Sequence, residues 1–242
     1  MKPLADLHIH TISSGHGYST FLEITQAASS KGLELIALTD HGPSMPGAPH
    51  LYHFGNLRVI PEEVLGVRIL KGVEANIINY EAHLDVPDTY LERLDIVLAG
   101  LHTYCYPGGS IVQNTETLIR AMQNPYIDVI VHPGNPEFQA DVGAIVEASA
   151  ALGVAIEINN SSFLGSRKGS VANCTSITEL VAEHGSLISV GSDAHTAFDV
   201  GNFDEAIKVC LAAGVKEDQI ISMSKESVLN YLDKRHKNRK QP

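Results

Sequence analysis

Strand-like and helix-like segments alternate along nearly the whole chain. Short aliphatic and β-branched runs are separated by segments with helical spacing, most of which stop at a glycine or a turn. The predicted strands cover 4–10, 33–38, 68–73, 94–99, 127–131, 154–159 and 187–190. The predicted helices cover 20–31, 115–122, 142–152 and 170–184, and further helical segments fill the C-terminal fifth. Because strands joined through helices pair in parallel, we predict an α/β fold, as one domain over 1–242.

The polar residues of this pattern lie at one end of the strands. A histidine, an amide or a carboxylate stands at the C-terminal end of each predicted strand: His10, His41, Glu74, His102, His132, Asn159 and Asp193. In an open sheet only the strands beside the switch point could bring such residues together, whereas a closed barrel brings all its strand ends to one mouth. We therefore predict a TIM-like barrel of seven strands, a (β/α)7 fold, with its site at the C-terminal mouth.

The first predicted strand carries two histidines. Apolar and polar residues alternate from Leu4 to His10, so Asp6, His8 and His10 are expected to share one strand face. Two imidazoles on one face can both reach a single cation, and Asp6 behind them could orient one of the rings. His-x-His also occurs by chance, and the further candidate ligands are what favours a metal site.

Nine side chains of the metal-binding type are predicted at the mouth. They are His8, His10, His16, His41, Glu74, His102, His132, Asp193 and His195. A single buried histidine is more often a satisfied core residue, and Glu74 or Asp193 alone could cap a helix. Several such groups buried together would lose their hydration without compensation, which metal ions supply. Nine ligands are too many for one ion, so we predict two or three ions with positions left for water and substrate.

Composition and charge limit the partners and the compartment. The formal net charge is -11, and an acidic surface opposes the binding of polyanions such as nucleic acid. The apolar runs are too short to cross a membrane, and no apolar leader precedes the first strand. The 3 cysteines are scattered without a CxxC pair. We expect a cytoplasmic protein, with a solvated and frayed basic segment over 234–242.

The motifs occur in a characteristic order: HxH, a further histidine, TDHG, a glutamate after a strand, LH, HPG and finally SDAH. This order resembles the PHP (polymerase and histidinol phosphatase) superfamily of metal-dependent phosphoesterases over essentially the whole chain. More narrowly, the DHGP, GVEANI, HPGNP, EINNSSF and SRKGS segments resemble the YcdX-type bacterial phosphatases. The resemblance implies a distorted seven-stranded barrel with three divalent metal ions, zinc first among them. Manganese or iron would suit the same donors.

The resemblance also implies how the ligands are shared. The three ions would be held, in turn, by His8, His10, Glu74 and Asp193; by Glu74, His102 and His132; and by His16, His41 and His195. Two such ions can hold a bridging hydroxide and direct it at phosphorus, so Glu74, Asp193 and His102 are the predicted catalytic residues. The predicted reaction is the hydrolysis of small-molecule phosphomonoesters.

Substrate contacts are predicted in two loops. The loop 161–170 follows a strand at the mouth and offers Arg167 and Lys168 to a phosphate group. The Pro- and Gly-rich segment 43–61 is placed where a lid would lie, and it carries His50 and His53. These two histidines are interpreted either as substrate contacts, one of them a general acid, or as residues that pack the loop.

Three other functions are considered. An amidohydrolase also begins with HxH on a barrel, but it commonly needs a bridging lysine where this chain has Glu74. A PHP nuclease or phosphodiesterase would use the same ligands, and the acidic charge disfavours it. A PHP domain can also be a non-catalytic part of a polymerase, which the complete ligand set opposes. A homo-oligomer is compatible with the sequence.

Overall fold

The computed structural model describes residues 1–239, and its centre is a nearly closed barrel of parallel strands surrounded by helices. The strands are β1 (Ala5–Asp6), β2 (Leu35–Leu38), β3 (Glu63–Val64), β4 (Val67–Asn76), β5 (Ile96–Gly100), β6 (Val129–Ile130), β7 (Ala155–Asn159) and β8 (Ile188–Gly191). Their hydrogen-bonded order is β1-β2-β4-β5-β6-β7-β8, and β3 pairs antiparallel with β4 outside this path. A parallel bridge between Ala194 and Ile9 links the last strand to the first. The predicted seven-stranded TIM-like barrel is confirmed.

Helices α1 to α6 lie between strands and α7 and α8 follow β8, and local capping signals set several of their ends. They are α1 (Phe21–Lys31), α2 (Tyr52–Asn56), α3 (Asp88–Leu91), α4 (Ile111–Met122), α5 (Val142–Leu152), α6 (Ser170–His184), α7 (Asp204–Ala212) and α8 (Lys225–Arg239). In α1, Thr20 and Glu23 form a capping box, and Gly32 ends the helix in the left-handed conformation. Helix α4 begins four residues earlier than predicted, at Ile111, because Ser110 caps its first turn. Within residues 1–239, no helix combines the length and the apolar character needed to cross a bilayer.

The first strand is shorter than predicted. Regular pairing ends at Asp6, and beyond it Ile9 donates its N–H to the Thr39 hydroxyl instead of to a neighbouring strand. The Asp6 carboxylate accepts hydrogen bonds from the backbone N–H groups of Ser192 and Gly201. The expectation that Asp6 orients one of the two histidine rings is therefore wrong: it ties the loop after β8 to β1.

Strand β4 is longer than predicted and joins the two halves of the barrel. Residues 68–71 pair with β2, and residues 72–76 pair with β5. Because β4 pairs with β5 only through its second half, that half, which contains Glu74, extends toward the C-terminal mouth. Glu74 is fully buried there.

Helix α8 closes the opposite end of the barrel. Its Tyr231 hydroxyl donates to the Asp128 carbonyl at the start of β6, and it packs in the barrel interior with Val228 and Leu232. One nitrogen of Arg239 lies 2.8 Å from both oxygens of the buried Asp128 carboxylate. The structure thus differs from the predicted frayed segment: residues 234–239 continue the helix, and 240–242 lie outside the described residues.

Candidate metal centre

The structure brings the nine predicted ligand residues together at the C-terminal mouth of the barrel. The carboxylate of Glu74 lies at their centre. One oxygen, Oε1, is 3.0 Å from His102 Nε2 and 2.9 Å from His132 Nε2. The other, Oε2, is 2.9 Å from His41 Nδ1 and 3.3 Å from the Nε2 atoms of both His8 and His10. Burial alone would raise the pKa of Glu74, but the surrounding histidines hold it well below its ordinary value.

The other predicted carboxylate ligand, in the loop after β8, faces the same histidines. Asp193 Oδ1 lies 3.5 Å from His8 Nε2 and 3.3 Å from His10 Nε2. Its second oxygen accepts a hydrogen bond from Arg167. Burial opposes ionisation of Asp193, yet His8 and Arg167 keep its pKa well below the ordinary value. Two ionised carboxylates therefore converge on one group of imidazoles.

Three groups of residues offer ligand atoms that all lie within 4.8 Å of one another. They are His8, His10 and Asp193; His10, His41 and His195; and His41, Glu74 and His102. His16 lies beside the second group, its ring centroid 4.9 Å from that of His195 and 5.1 Å from that of His41. His41 thus faces Glu74 on one side and the pair His16 and His195 on the other.

The protonation of three of the histidines suits metal binding, whereas His10 must lose a proton before it can bind a metal ion. Burial lowers the pKa of His41 and His132 to about 3 and that of His195 to about 4, so these imidazoles are neutral at physiological pH. Burial also opposes protonation of His10, but Asp193 and Glu74 outweigh it and raise its pKa to about 9. Neutral imidazole and ionised carboxylate are the donor forms that divalent transition metals accept.

Several buried polar atoms at the centre have no hydrogen-bond partner within the described part of the chain. They are Glu74 Oε2, His41 Nδ1, His102 Nδ1 and His132 Nδ1; the first two lie 2.9 Å apart, but their relative orientation does not form a hydrogen bond. Buried polar atoms without partners are costly, and most native structures avoid them. Metal ions in this space would engage some of these atoms and the carboxylates around them. The residues present therefore fit divalent metal ions.

Two of the histidines are oriented from behind by side chains that were not predicted as site residues. His8 Nδ1 lies 2.7 Å from Glu157 Oε1, and His10 Nδ1 lies 3.0 Å from the Ser14 hydroxyl. Ser14 in turn donates to Asp40, which hydrogen bonds and nearby histidines hold at a pKa of about 2 despite its burial. Both rings consequently present Nε2 to the cluster. Such contacts fix the tautomer and orientation of a metal-binding imidazole.

A cleft of about 430 Å³ opens over the cluster. Its lining includes Arg167 and five of the nine predicted ligands, which are His16, His41, His102, Asp193 and His195. The remaining lining residues are Met45, Pro46, Leu101, Thr103, Tyr104, Asn135, Glu137 and Ser166.

The other residues predicted to contact substrate lie elsewhere. Lys168 is exposed beside the cleft. His50 is also exposed, and its Nδ1 accepts from the Tyr52 N–H. His53 Nε2 lies 3.4 Å from Asp40 Oδ2, behind the cluster. Within residues 1–239, the lining of this cleft includes Arg167 but not these three residues.

A barrel with histidines and carboxylates gathered at its mouth is an architecture suited to metal-dependent hydrolysis. The family described as PHP domain matches residues 6–161, and this chain belongs to that family. It is 52% identical over 233 residues to a protein named probable phosphatase from Thermoanaerobacter sp. (strain X514), with 96% of this chain and 95% of the relative covered. It is 49% identical over 238 residues to another probable phosphatase, from Caldanaerobacter subterraneus subsp. tengcongensis, with 98% and 94% covered.

The fold is also similar to that of a solved structure. Histidinol phosphate phosphatase from Lactococcus lactis subsp. lactis Il1403, in complex with zinc, L-histidinol and phosphate, aligns with a TM-score of 0.61. The alignment covers 91% of this chain and 96% of that chain at 16% sequence identity. This likeness shows that the two proteins share the fold.

Proposed function

We propose that this protein is a metal-dependent phosphatase that hydrolyses phosphomonoesters of small molecules and holds three divalent metal ions, zinc first among them. The observation that carries the proposal is the buried Glu74 carboxylate surrounded by five histidine rings beneath an open cleft. The relatives named probable phosphatase, which align over nearly the full chain, support it. Bound ions would activate a water nucleophile and offset charge on the phosphate oxygens.

We propose that the nine ligands are divided among three ions. His8, His10, Glu74 and Asp193 would hold one ion; Glu74, His102 and His132 a second; and His16, His41 and His195 a third. The convergence of His8, His10 and Asp193 supports the first group. Since the ligands come from residues as distant in the sequence as His8 and His195, we propose that residues 1–242 act as one domain.

Arg167 is the side chain proposed to bind the phosphate group. It lies in the cleft wall beside Asp193, where a guanidinium can donate to non-bridging phosphate oxygens. Glu137 also lines the cleft. With a carboxylate there and a formal net charge of -11, the site favours a substrate with one phosphate group over a polyanion.

The experiment compares the wild-type protein with His102→Ala and with a matched control, His184→Ala, in which an exposed histidine on α6 is lost. Metal content is measured by mass spectrometry and phosphatase activity with p-nitrophenyl phosphate. We expect metal-dependent activity in the wild type and the control, and a loss of at least about 100-fold in kcat/KM for His102→Ala, since this ring contacts Glu74 directly. A metal-free wild type, or a fully active His102→Ala variant, would refute the proposal.

A further inference from the structure

A buried carboxylate behind the cluster has no role in the ligand set proposed above. Glu157 lies in the middle of β7 and is only 2% exposed. Its Oε1 is 2.7 Å from His8 Nδ1, and its Oε2 accepts from the backbone N–H of His132 at 3.0 Å and from Asn159 Nδ2 at 3.1 Å. The Glu157 carboxylate thus has three hydrogen-bond partners. Two of them, His8 and His132, are proposed metal ligands, and the third, Asn159, also contacts the proposed ligand Asp193.

The contact with His8 fixes which ring nitrogen faces the cluster. When Nδ1 donates its proton to Glu157, the lone pair remains on Nε2. That atom lies 3.3 Å from Glu74 Oε2 and 3.5 Å from Asp193 Oδ1. Glu157 therefore holds His8 in the tautomer and orientation that a metal ligand at Nε2 requires.

The contact with His132 holds a backbone conformation that is unfavourable for this residue. His132 has a φ of 36°, in the left-handed region, and this conformation directs its Nε2 to within 2.9 Å of Glu74 Oε1. The hydrogen bond from its N–H to Glu157 stabilises the conformation. Asp193 is also left-handed, with a φ of 55°, and Asn159 connects its Oδ2 to Glu157.

The neighbouring strand leaves space for this arrangement. A Cβ on Gly191 of β8 would lie 2.3 Å from Glu157 Oε1 and 2.9 Å from the Cβ of His8. Only glycine allows the carboxylate and the imidazole to meet there without displacement. Gly191 thus leaves the space that the Glu157 carboxylate occupies beside His8.

We propose that Glu157 is a positioning residue, which sets His8 and His132 in the orientations needed to bind metal ions. The inference rests on the metal-binding part of the proposed function. It adds a residue outside the nine ligands, and it predicts that metal affinity depends on a side chain that does not contact the ion.

The test is the variant Glu157→Gln, which preserves shape but leaves one acceptor oxygen and places an amide NH₂ against N–H donors. Zinc affinity and stoichiometry are measured by competition with a chromophoric chelator, and thermal stability in EDTA. The matched control is Asp128→Asn, the loss of another buried carboxylate that accepts a backbone N–H, at the opposite end of the barrel. Glu157→Asp, a smaller change, is measured in parallel.

We expect Glu157→Gln to weaken at least one zinc site by about 10–100-fold, the range for residues that orient metal ligands. Asp128→Asn should lower the Tm in EDTA while its zinc affinity stays at the wild-type value. In ¹⁵N spectra of the zinc-loaded protein, the Nδ1 proton of His8 should be lost or shifted in the Gln variant. If Glu157→Gln does not fold, Glu157→Asp must show the same weakening.

Two outcomes separate the hypotheses. Wild-type zinc affinity in a folded Glu157 variant overturns the positioning role and leaves the proposed function intact. A wild-type protein that binds zinc but hydrolyses no phosphomonoester overturns the proposed function and leaves the positioning role intact. A wild-type protein that binds no zinc refutes both.

Discussion

Arg167 and Lys168 are adjacent in the sequence but differ in their surroundings, and this contrast gives a sharp prediction. The side chain of Arg167 is only 17% exposed, and its Nη1 lies 2.9 Å from Asp193 Oδ2 in the cleft wall. Lys168 is exposed outside the cleft. Replacing Arg167 with Met removes the guanidinium while keeping a side chain of similar length. Replacing Lys168 with Met removes a charge of the same sign one residue away.

The size of the effect follows from the hydrogen bonds lost. A hydrogen bond to a charged group contributes about 1.5–3 kcal/mol. Since about 1.4 kcal/mol corresponds to a tenfold change in binding, Arg167→Met should raise KM by about 10–100-fold. A phosphate held equally in the ground and transition states contributes to KM more than to kcat, so kcat should change less. Arg167→Lys should be intermediate, because a lysine keeps the charge but not the two-pronged geometry.

Steady-state kinetics with p-nitrophenyl phosphate measure the four proteins, each checked for equal metal content. The reasoning is refuted if Arg167→Met keeps the wild-type KM, or if Lys168→Met raises KM as much as Arg167→Met does. A fall in kcat with KM unchanged would instead assign Arg167 to the support of Asp193.

Two further predictions concern stability. In the metal-free protein, His41 and His132 have pKa values of about 3, so below the ordinary histidine pKa of 6.5 the unfolded chain takes up protons that the folded state does not. The contribution of these two residues to stability should therefore be fully present above pH 6.5 and fall by up to about 3 kcal/mol per pH unit for the pair as the pH drops toward 4. His10, with its raised pKa of about 9, contributes in the opposite sense, and its contribution is lost as the pH rises from 6.5 toward 9. Equal urea midpoints at pH 7 and pH 5 would contradict this. Arg239→Ala, which breaks the contact with Asp128, should lower the free energy of unfolding by about 1.5–3 kcal/mol in chemical denaturation. The exposed Lys237→Ala should change it by less than about 0.5 kcal/mol, and equal losses would refute the role of Arg239.

The sequence predicts best those elements whose ends are set by nearby residues. Helix α5 has its predicted bounds because Asp141 caps its start and Gly153 ends it in the left-handed conformation. Helix α6 likewise stops at Gly185 as predicted. The barrel itself follows from the order of strands and helices, since parallel pairing leaves few other ways to gather polar residues from every strand end.

Contacts between distant parts of the chain cannot be predicted from local sequence patterns. The basic segment after residue 233 looks like a solvated end, because its partner Asp128 lies 111 residues from Arg239. In the folded chain, the contact between Arg239 and the buried Asp128 carboxylate stabilises this segment as the last part of helix α8. His50 and His53 are similar: neither lines the cleft, because His50 contacts the backbone of Tyr52 and His53 faces Asp40, and no local sequence pattern indicates these contacts.

In the candidate site, too, the residues marked by a local sequence pattern are predicted, and those that depend on distant contacts are not. The nine ligand residues stand out because they occupy strand ends, where the barrel fold gathers them. Glu157 was missed because it lies within an apolar run, although a signal was present. It alternates with Asn159 in β7, so both face the barrel interior, where a carboxylate requires partners.

The left-handed backbone at His132 and Asp193 has a consequence for any directed evolution of this protein. Non-glycine residues in such conformations cost free energy, and Gly or Asn would occupy the same positions more readily. A library screened only for survival at high temperature would therefore be drawn toward Gly or Asn at 132 and 193. Each variant selected in this way would gain thermal stability but lose a residue of the site. Selection for thermal stability and selection for catalytic activity would therefore oppose each other at these two positions.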